Sequence, residues 1–313
     1  MRYRLLGKTG LEVSILGFGS GGPSQLGQNT GLSSKEQHRL ISRVIDLGIN
    51  LIDSSEAYGD SEEILGKYLK QIPRASYVLA TKNMCVNQSG EVRNPIELAQ
   101  AIDRSLKRLE TNHIDVMQFH LLTLSDYEEV IEKLYPVMEK AKSAGKIRFI
   151  GFSEAFKIDP SHKAVVHALN KNPDLWDTVM LKYGILNQYA AKEALPLAKK
   201  HNIGVINMAV IREKLPNPKL LSNQIKSWKQ EGLIDSELDE INPLNWLIKG
   251  NVKSIIDAGY IFASEHPAVS SVLTGTSSIN NLEKNVQALN INKLPEQHSQ
   301  KLKDLFSDIA IYI

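Results

Sequence analysis

Four side chains of complementary chemistry lie at the ends of three consecutive predicted strands. Asp53 ends one strand and Tyr58 follows in its loop. Lys82 ends the next strand, and His120 ends the third. Adjacent strands lie about 4.8 Å apart, so three consecutive ends bring these groups within roughly 10 Å of one another. Each residue alone has an ordinary interpretation, as a turn cap, a loop aromatic, a solvated strand end or a core histidine. Their joint position favours a shared site.

The four groups together suit proton transfer to or from a substrate oxygen. A free tyrosine exchanges protons poorly at neutral pH, but a lysine ammonium beside the phenol favours the phenolate. Asp53 would keep Lys82 charged and offset the cost of burying it. His120 could hydrogen-bond a substrate oxygen and orient it toward Tyr58. The set predicts a general acid with supporting residues.

The elements that must position these residues alternate regularly along the chain. Short β-branched runs predict eight strands, separated by longer amphipathic segments. The predicted strands are Val13–Phe18, Ile49–Ser54, Tyr77–Lys82, Ile114–His120, Ile147–Ser153, Thr178–Lys182, Gly204–Val210 and Val269–Gly275. Parallel strands joined by helices form either a closed (β/α)₈ TIM barrel or an open doubly wound sheet, and eight units in this length favour the barrel.

Local signals mark the helices between the strands. Asn94–Glu110 carries apolar residues at helical spacing, with Asn94 as N-cap and Pro95 in the first turn. Another helix opens near Ser34 and stops at Gly48, and a third stops at Gly145. No Pro-, Gly- or Ser-rich linker divides residues 1–313, so we predict one domain. Residues 212–251 are too long for an ordinary loop and predict a large insertion after the seventh strand, with a helix around residues 220–232.

Composition excludes several classes of protein. Charged residues make up 23% of the chain and hydrophobic ones 42%, and the net charge of +2 provides no basic surplus for nucleic acid. The single cysteine, Cys85, cannot form an internal disulfide, which fits a reducing compartment. The sequence shows neither a signal-peptide pattern nor an apolar run of membrane-spanning length. We therefore expect a cytoplasmic protein with no membrane or nucleic-acid partner.

One glycine motif imitates a dinucleotide fingerprint. Gly17-Phe18-Gly19-Ser20-Gly21-Gly22 matches G-x-G-x-x-G after a predicted strand. In a Rossmann fold a helix begins within that turn. Here Pro23 follows at once, and a helix is plausible only near Ser34. The glycines either let backbone approach a ligand at the barrel mouth or simply form a loop.

Further motifs occur in a characteristic order along nearly the whole chain. They are Leu6–Ser14, Asp53–Gly59, Ser61-Glu62, Leu65-Gly66, Ala80–Lys82, Asp115 leading to His120, Gly145–Arg148, Ile150–Ser153, Gly275–Ser277 and Leu282–Asn285. In this order the sequence resembles the aldo-keto reductase family, whose fold is the (β/α)₈ barrel. Tyr183-Gly184 is more similar to the sugar-dehydrogenase branches of that family.

The resemblance implies a catalytic tetrad of Asp53, Tyr58, Lys82 and His120 and a nicotinamide cofactor, NADP or NAD, across the barrel mouth. Tyr58 would protonate a carbonyl oxygen as hydride reaches the carbon, or deprotonate an alcohol in reverse. The cofactor-binding positions expected on this basis are Gly19, Ser20, Ser153, Glu154, Met180, Met208, Gly275, Thr276, Ser277, Asn281, Lys284 and Asn285.

Several of these positions depart from the family pattern. Glu154 stands where an asparagine is usual, and an ionised carboxylate cannot donate a hydrogen bond. Met180 replaces a usual glutamine, and Met208 stands where an aromatic ring often stacks on the nicotinamide. Asn281 occupies the place of an arginine that contacts the 2′-phosphate of NADP. Lys284, one turn further on, either supplies a substitute charge or is a solvated helix residue.

Three functions compete on this sequence. The first is an oxidoreductase acting on an aldehyde, ketone or sugar, with a small-molecule partner. The second is a subunit that senses the nicotinamide cofactor with little turnover, which the altered nicotinamide positions keep open. The third, a metal-dependent barrel hydrolase, needs ligands at several strand ends, where we find one histidine; we expect no metal site. Substrate choice would lie in Pro23–Gly31, Arg212–Asn251 and the tail near Tyr312, and the oligomeric state cannot be predicted.

Overall fold

The computed structural model describes residues 1–235 and 237–311, so Tyr312, which the sequence predicts near the substrate, lies outside the described residues. Eight parallel strands close into a barrel in chain order, and the last pairs with the first. The strands are β1 (Leu16–Gly19), β2 (Leu51–Asp53), β3 (Val78–Met84), β4 (Ile114–Leu122), β5 (Ile147–Glu154), β6 (Thr178–Leu181), β7 (Gly204–Asn207) and β8 (Val269–Thr274). The predicted (β/α)₈ fold is confirmed, and the open sheet is wrong.

Helices surround the barrel and follow its strands. In chain order they are α1 (Ser34–Asp46), α2 (Ser61–Leu69), α3 (Pro95–Arg108), α4 (Tyr127–Lys133), α5 (Tyr135–Ser143), α6 (Lys163–Lys171), α7 (Ala194–Lys200), α8 (Pro218–Gln230), α9 (Ile255–Glu265), α10 (Ile279–Ala288) and α11 (Glu296–Phe306). Short 3₁₀ turns span Gln25–Thr30, Arg74–Ser76, Pro173–Leu175, Tyr189–Ala191 and Asn245–Leu247. Within the described ranges no helix is both long and apolar enough to cross a bilayer.

The capping signals of the sequence operate as expected. The Asn94 side chain accepts from the Ile96 N–H at the start of α3, with a proline in the first turn. Ser33 caps α1 through a reciprocal capping box with Glu36. Gly48, just after α1, adopts a φ of +79°, which a residue with a Cβ rarely tolerates. These local contacts set where the barrel helices begin and end.

An N-terminal hairpin covers the end of the barrel at which the strands begin, opposite their carboxyl ends. Its strands, Tyr3–Leu5 and Glu12–Ser14, pair antiparallel, and Leu6 is completely buried among side chains of the barrel interior. The chain approaches β7 so closely that a Cβ on Gly7 would lie 2.2 Å from the Gly204 nitrogen. The sequence predicted one strand over Val13–Phe18. The chain instead divides after Ser14, so that the hairpin precedes β1.

The strand β7 is shorter than the predicted Gly204–Val210. The Asn207 side chain accepts from the Tyr183 N–H at 2.9 Å and donates to the Tyr183 carbonyl at 2.8 Å. A side-chain amide thus takes the place of the backbone ladder at this point. Ala209 then adopts a φ of +55°, which turns the chain out of the sheet. Met208–Val210 therefore belong to the barrel mouth.

The predicted insertion follows β7 and contains its own helix. Asn217 caps α8 by accepting from the Leu220 N–H at 3.1 Å. The buried face of α8 includes Trp228, and the centroid of its ring lies 6.0 Å from the ring centroid of Phe306 on α11. Burial of apolar side chains of this size secures the segment against the outer layer. The helix begins two residues before the predicted start at 220 and ends two residues before the predicted end at 232.

Candidate active site

A fully buried ion pair joins β2 and β3 at the mouth of the barrel. Lys82 Nζ lies 2.7 Å from Asp53 Oδ1 and 2.6 Å from Oδ2, and it donates to the Ser54 carbonyl at 2.6 Å. Its three donors therefore all have acceptors, as a buried ammonium requires. Burial disfavours the charged amine, but attraction to Asp53 and Tyr58 outweighs it, so the pKa of Lys82 lies above its ordinary value.

Gln118 also supports this pair. Its Nε2 lies 3.4 Å from Asp53 Oδ1, a long contact, and the side chain is completely buried. The sequence interpretation overlooked Gln118. A signal existed, since it precedes His120 by two positions, and residues two apart in a strand share a face.

Tyr58 lies directly above the buried pair. Lys82 Nζ is 5.1 Å from the centroid of its ring, and the ring stands edge-on to His120 with centroids 5.6 Å apart. On the other side, a Cβ added to Gly21 would lie only 2.5 Å from the ring. Glycine at this position therefore leaves the space that the phenol occupies. Gly21 belongs to the glycine motif of the sequence, which here serves as a wall of the site.

His120 is held as a neutral imidazole. Burial and the nearby Lys82 ammonium lower the pKa of His120 to about 3. Its Nδ1 lies 2.9 Å from the hydroxyl oxygen of Ser55, which is itself completely buried. A neutral ring can donate through one nitrogen only. His120 is therefore suited to hydrogen bonding and orientation rather than to carrying a charge.

A cavity of about 820 Å³ opens beside these groups at the carboxyl ends of the strands. Asp53, Tyr58 and His120 all line it, while Lys82 lies buried beneath. Its remaining walls come from the carboxyl ends of β1, β3, β4, β5, β6 and β8, from the loops after β1, β3, β4, β5, β7 and β8, and from Tyr260 of α9. The structure thus brings all four predicted tetrad residues together at the position where barrel enzymes carry their active sites.

Five of the predicted cofactor positions line this cavity. They are Gly19, Ser153, Met180, Met208 and Gly275. Ser153 also accepts from the Leu121 N–H at 3.0 Å, which fixes its side chain. Ser20 lies next to this wall but is completely buried, and its hydroxyl donates to Ser54 at 2.9 Å.

Glu154 is directed away from the cavity. Its Oε2 lies 2.7 Å from His162 Nδ1, and its Oε1 accepts from the Lys182 N–H at 2.7 Å. Both side chains of the pair are buried. Burial disfavours the imidazolium, but attraction to Glu154 outweighs it and raises the pKa of His162. Both oxygens of this carboxylate therefore have partners within the protein, which the sequence alone did not indicate.

The remaining predicted positions surround the start of α10. Ser278 caps this helix by accepting from the Asn281 N–H at 3.3 Å, and Asn281 and Lys284 are exposed. Asn285 is buried, and its amide donates to Thr274 at 2.9 Å. Thr276 accepts from the Ser278 N–H at 3.1 Å, and Ser277 lies between them, half-buried. This corner is an N-terminal helix end of the type that receives phosphate.

Comparison with known proteins decides the family. The model of the Aldo/keto reductase family matches residues 16–306. L-galactose dehydrogenase of Arabidopsis thaliana is 30% identical over 306 residues, covering 92% of this chain and 88% of that protein. The chain belongs to the aldo/keto reductase family. It is accordingly a nicotinamide-dependent oxidoreductase.

Other aldo-keto reductases agree with this assignment. The NADH-specific methylglyoxal reductase of Escherichia coli is 26% identical, covering 92% of this chain and 93% of that protein. Among solved structures, the holo form of an aldo-keto reductase from Bacillus halodurans superposes with a TM-score of 0.74 at 25% identity, covering 100% of this chain and 98% of that one. The predicted resemblance to the family is confirmed.

The cavity of this aldo-keto reductase fits an extended nicotinamide cofactor. Gly19, Gly21, Gly22 and Gly275 present bare backbone along one wall, and a Cβ on Gly275 would lie 3.2 Å from the Gly19 carbonyl oxygen. Arg212 lines the cavity beside Gly22 and places a cation next to this wall. Backbone without side chains and an adjacent guanidinium suit a pyrophosphate group. These residues would hold the cofactor.

Proposed function

We propose that this protein interconverts a carbonyl compound and its alcohol with Tyr58 as the proton donor and acceptor. The observation that supports this role is the buried Lys82–Asp53 pair, whose Lys82 Nζ lies 5.1 Å from the centroid of the Tyr58 ring, beside the cavity that Tyr58 lines. The nicotinamide, when bound, supplies hydride for reduction and accepts it in the reverse reaction. All other chemistry in the site falls to side chains of the barrel.

Each member of the tetrad has a separate task in this proposal. Tyr58 gives its hydroxyl proton to the carbonyl oxygen, and the Lys82 ammonium stabilises the phenolate that remains. Asp53 keeps Lys82 charged and directed. His120 remains neutral and hydrogen-bonds the substrate oxygen, which orients the carbonyl toward the Tyr58 hydroxyl. In alcohol oxidation the same groups act in reverse, and Tyr58 accepts the proton.

The walls nearest Tyr58 and His120 favour an apolar substrate over a sugar. The carboxyl ends of β3 and β4 and the loops after β3 and β5 contribute mostly apolar side chains to the cavity, namely Met84, Val86, Leu121, Ala155, Phe156 and Ile158. Thr123 and Lys157 add polar groups. A polyhydroxylated chain would leave hydroxyls unpaired against this surface, at about 1–3 kcal/mol each. We infer that the substrate is an aldehyde or ketone with an apolar group beside the carbonyl.

For the adenosine end of the cofactor we propose that both NAD and NADP bind. The exposed Asn281 offers no positive charge to a 2′-phosphate, so one charge-assisted contact worth about 1.5–3 kcal/mol is missing. Lys284 is exposed on the same helix one turn further on, within reach of the same region. In this proposal whatever preference for NADP exists depends on Lys284.

Two six-carbon compounds, one apolar and one polyhydroxylated, test the substrate class. Oxidation of hexan-1-ol and of L-galactose is followed by nicotinamide absorbance with NAD and with NADP, and hexanal reduction checks the reverse direction. If two hydroxyls of the sugar stay unpaired, at about 1 kcal/mol or more each, kcat/KM for hexan-1-ol should exceed that for L-galactose by about 30-fold or more. A preference for L-galactose would overturn the apolar substrate class and leave the catalytic assignment intact.

The role of Tyr58 is tested by Tyr58→Phe. Loss of the proton donor should lower turnover by about 10²–10⁴-fold while nicotinamide binding, measured by fluorescence, stays nearly unchanged. Tyr3→Phe is the matched control, because it also removes a tyrosine hydroxyl, one that donates to the Gly48 carbonyl. Tyr3 lies in the N-terminal hairpin, at the end of the barrel opposite the cavity. Near-normal turnover in Tyr58→Phe would refute the assignment. Tight nicotinamide binding by the wild type without turnover of any substrate would favour a sensing role instead.

A further inference from the structure

Ser55 contacts the histidine of the site and the backbone of the strand that carries Lys82. It is completely buried in the turn after β2, three residues before Tyr58. Its hydroxyl oxygen has three neighbours: His120 Nδ1 at 2.9 Å, the Lys82 carbonyl oxygen at 3.2 Å and the Ala57 N–H at 3.2 Å. One side chain thus contacts the loop of Tyr58, the strand of Lys82 and the ring of His120.

The single hydroxyl proton of Ser55 has two possible acceptors. The Ala57 N–H is a donor, so toward that group Ser55 can only accept. The Lys82 carbonyl already accepts from the Glu56 N–H at 3.0 Å and does not depend on Ser55. His120 Nδ1 is the nearer acceptor, at 2.9 Å against 3.2 Å for the Lys82 carbonyl. In the opposite arrangement Nδ1–H would donate to Ser55, and the Ser55 proton would go over the longer contact to a carbonyl that already has a donor. The hydrogen-bond inventory therefore favours donation from Ser55 to His120.

The direction of this bond decides which nitrogen of His120 carries the proton. A neutral imidazole has one N–H, and the other nitrogen is an acceptor. If Nδ1 accepts from Ser55, the proton must reside on Nε2. Since His120 lines the cavity and its Nδ1 is engaged, Nε2 is the nitrogen left for a ligand. The opposite tautomer would present a lone pair to a substrate oxygen, which repels it.

We propose that Ser55 is a positioning residue that holds His120 in its Nε2–H tautomer, so that the ring donates to the substrate oxygen beside Tyr58. The assignment rests on the proposed carbonyl chemistry for its purpose. Its physical content, the tautomer of one buried histidine, is independent of turnover. The two can therefore fail separately.

Nitrogen-15 NMR of the full-length protein labelled at histidine tests the tautomer directly. The chain has eight histidines, and the His120 signals are identified by their loss in His120→Asn. At pH 7 we expect an unprotonated Nδ1 and a protonated Nε2 in the wild type. A protonated Nδ1 in an active wild-type enzyme would overturn the proposal for Ser55 alone. An Nε2–H tautomer in a protein without carbonyl turnover would instead count against the proposed function.

Two variants measure what the bond contributes. In Ser55→Ala we expect a changed His120 spectrum and a kcat at least about 10-fold lower, but less than the 10²–10³-fold that follows removal of a whole donor. Nicotinamide affinity should change less than twofold. Ser55→Thr retains the hydroxyl and should restore both the spectrum and most of kcat, which a purely structural role of this turn would not predict. An unaltered spectrum and rate in Ser55→Ala would refute the role, and if that variant does not fold, the wild-type spectrum decides.

Discussion

The Lys82–Asp53 pair allows a quantitative prediction for Asp53→Asn. The substitution preserves shape but removes the charge that balances a completely buried ammonium. Removing one partner of a buried pair typically costs about 3–5 kcal/mol, because the remaining charge is left without compensation. The protein can limit this penalty by releasing the Lys82 proton. We therefore expect the penalty to depend on pH.

The cost of releasing the proton sets an upper bound on the penalty. A lysine with an ordinary pKa of about 10.4 needs about 4.6 kcal/mol to become neutral at pH 7, at about 1.36 kcal/mol per unit. At pH 9 the same step needs about 1.9 kcal/mol. In the variant, folded Lys82 is neutral while the unfolded chain binds a proton, so stability rises with pH over this interval. In the wild type the pKa of folded Lys82 is raised, so the pH dependence has the opposite direction: the stabilisation is present below the unfolded pKa and is lost as the pH rises through the folded pKa, in strongly alkaline solution.

Urea unfolding at pH 7 and pH 9 measures both values. Circular dichroism and tryptophan fluorescence are followed together, since coincident transitions show that one free energy of unfolding describes the protein. Glu129→Gln is the control, because it breaks an exposed pair with Lys133 whose separation is also 2.6 Å. Exposed pairs contribute little, so the control should be nearly neutral at both pH values. Equal penalties at pH 7 and 9 for Asp53→Asn, or a penalty no larger than that of the control, would refute the reasoning.

Three further predictions concern the site and its cofactor. Gly21→Ala places a Cβ 2.5 Å from the Tyr58 ring, so the phenol must shift. A displacement of about 1 Å can lower kcat by about 10²-fold, and an unchanged kcat in this variant would contradict the contact. Because the pKa of His120 is lowered to about 3, the pH–rate profile should show no inflection from this group between pH 5 and 8; an inflection near 6.5 that disappears in His120→Asn would disprove this. Lys284→Ala should weaken NADP binding and leave NAD binding unchanged in fluorescence titrations, whereas a strong NADP preference that survives the mutation would exclude Lys284.

The order of elements and the place of the site could be predicted from the sequence. Strand and helix periodicity, with caps such as Asn94, depend on residues close together in the chain. A (β/α)₈ barrel aligns the carboxyl ends of its strands, so placing Asp53, Lys82 and His120 at or near the ends of consecutive strands is enough to predict that they meet. Asp53 ends β2, whereas β3 and β4 continue two residues beyond Lys82 and His120. Strand boundaries were less accurate, because the Asn207 side chain ends β7 by contacting Tyr183 across the sheet. That contact joins residues 24 positions apart.

Only the tertiary structure decided what the individual polar side chains bind. The sequence predicts Glu154 and Asn285 as cofactor positions by their place in the chain, and the structure adds their protein partners, His162 for Glu154 and Thr274 for Asn285. The sequence did not indicate a role for Ser55, because its contact with His120 joins residues 65 positions apart. A buried polar atom takes the nearest partner that satisfies it, because leaving it unpaired is costly. Which partner is nearest depends on how distant strands and loops pack, and periodicity along the chain does not contain that information.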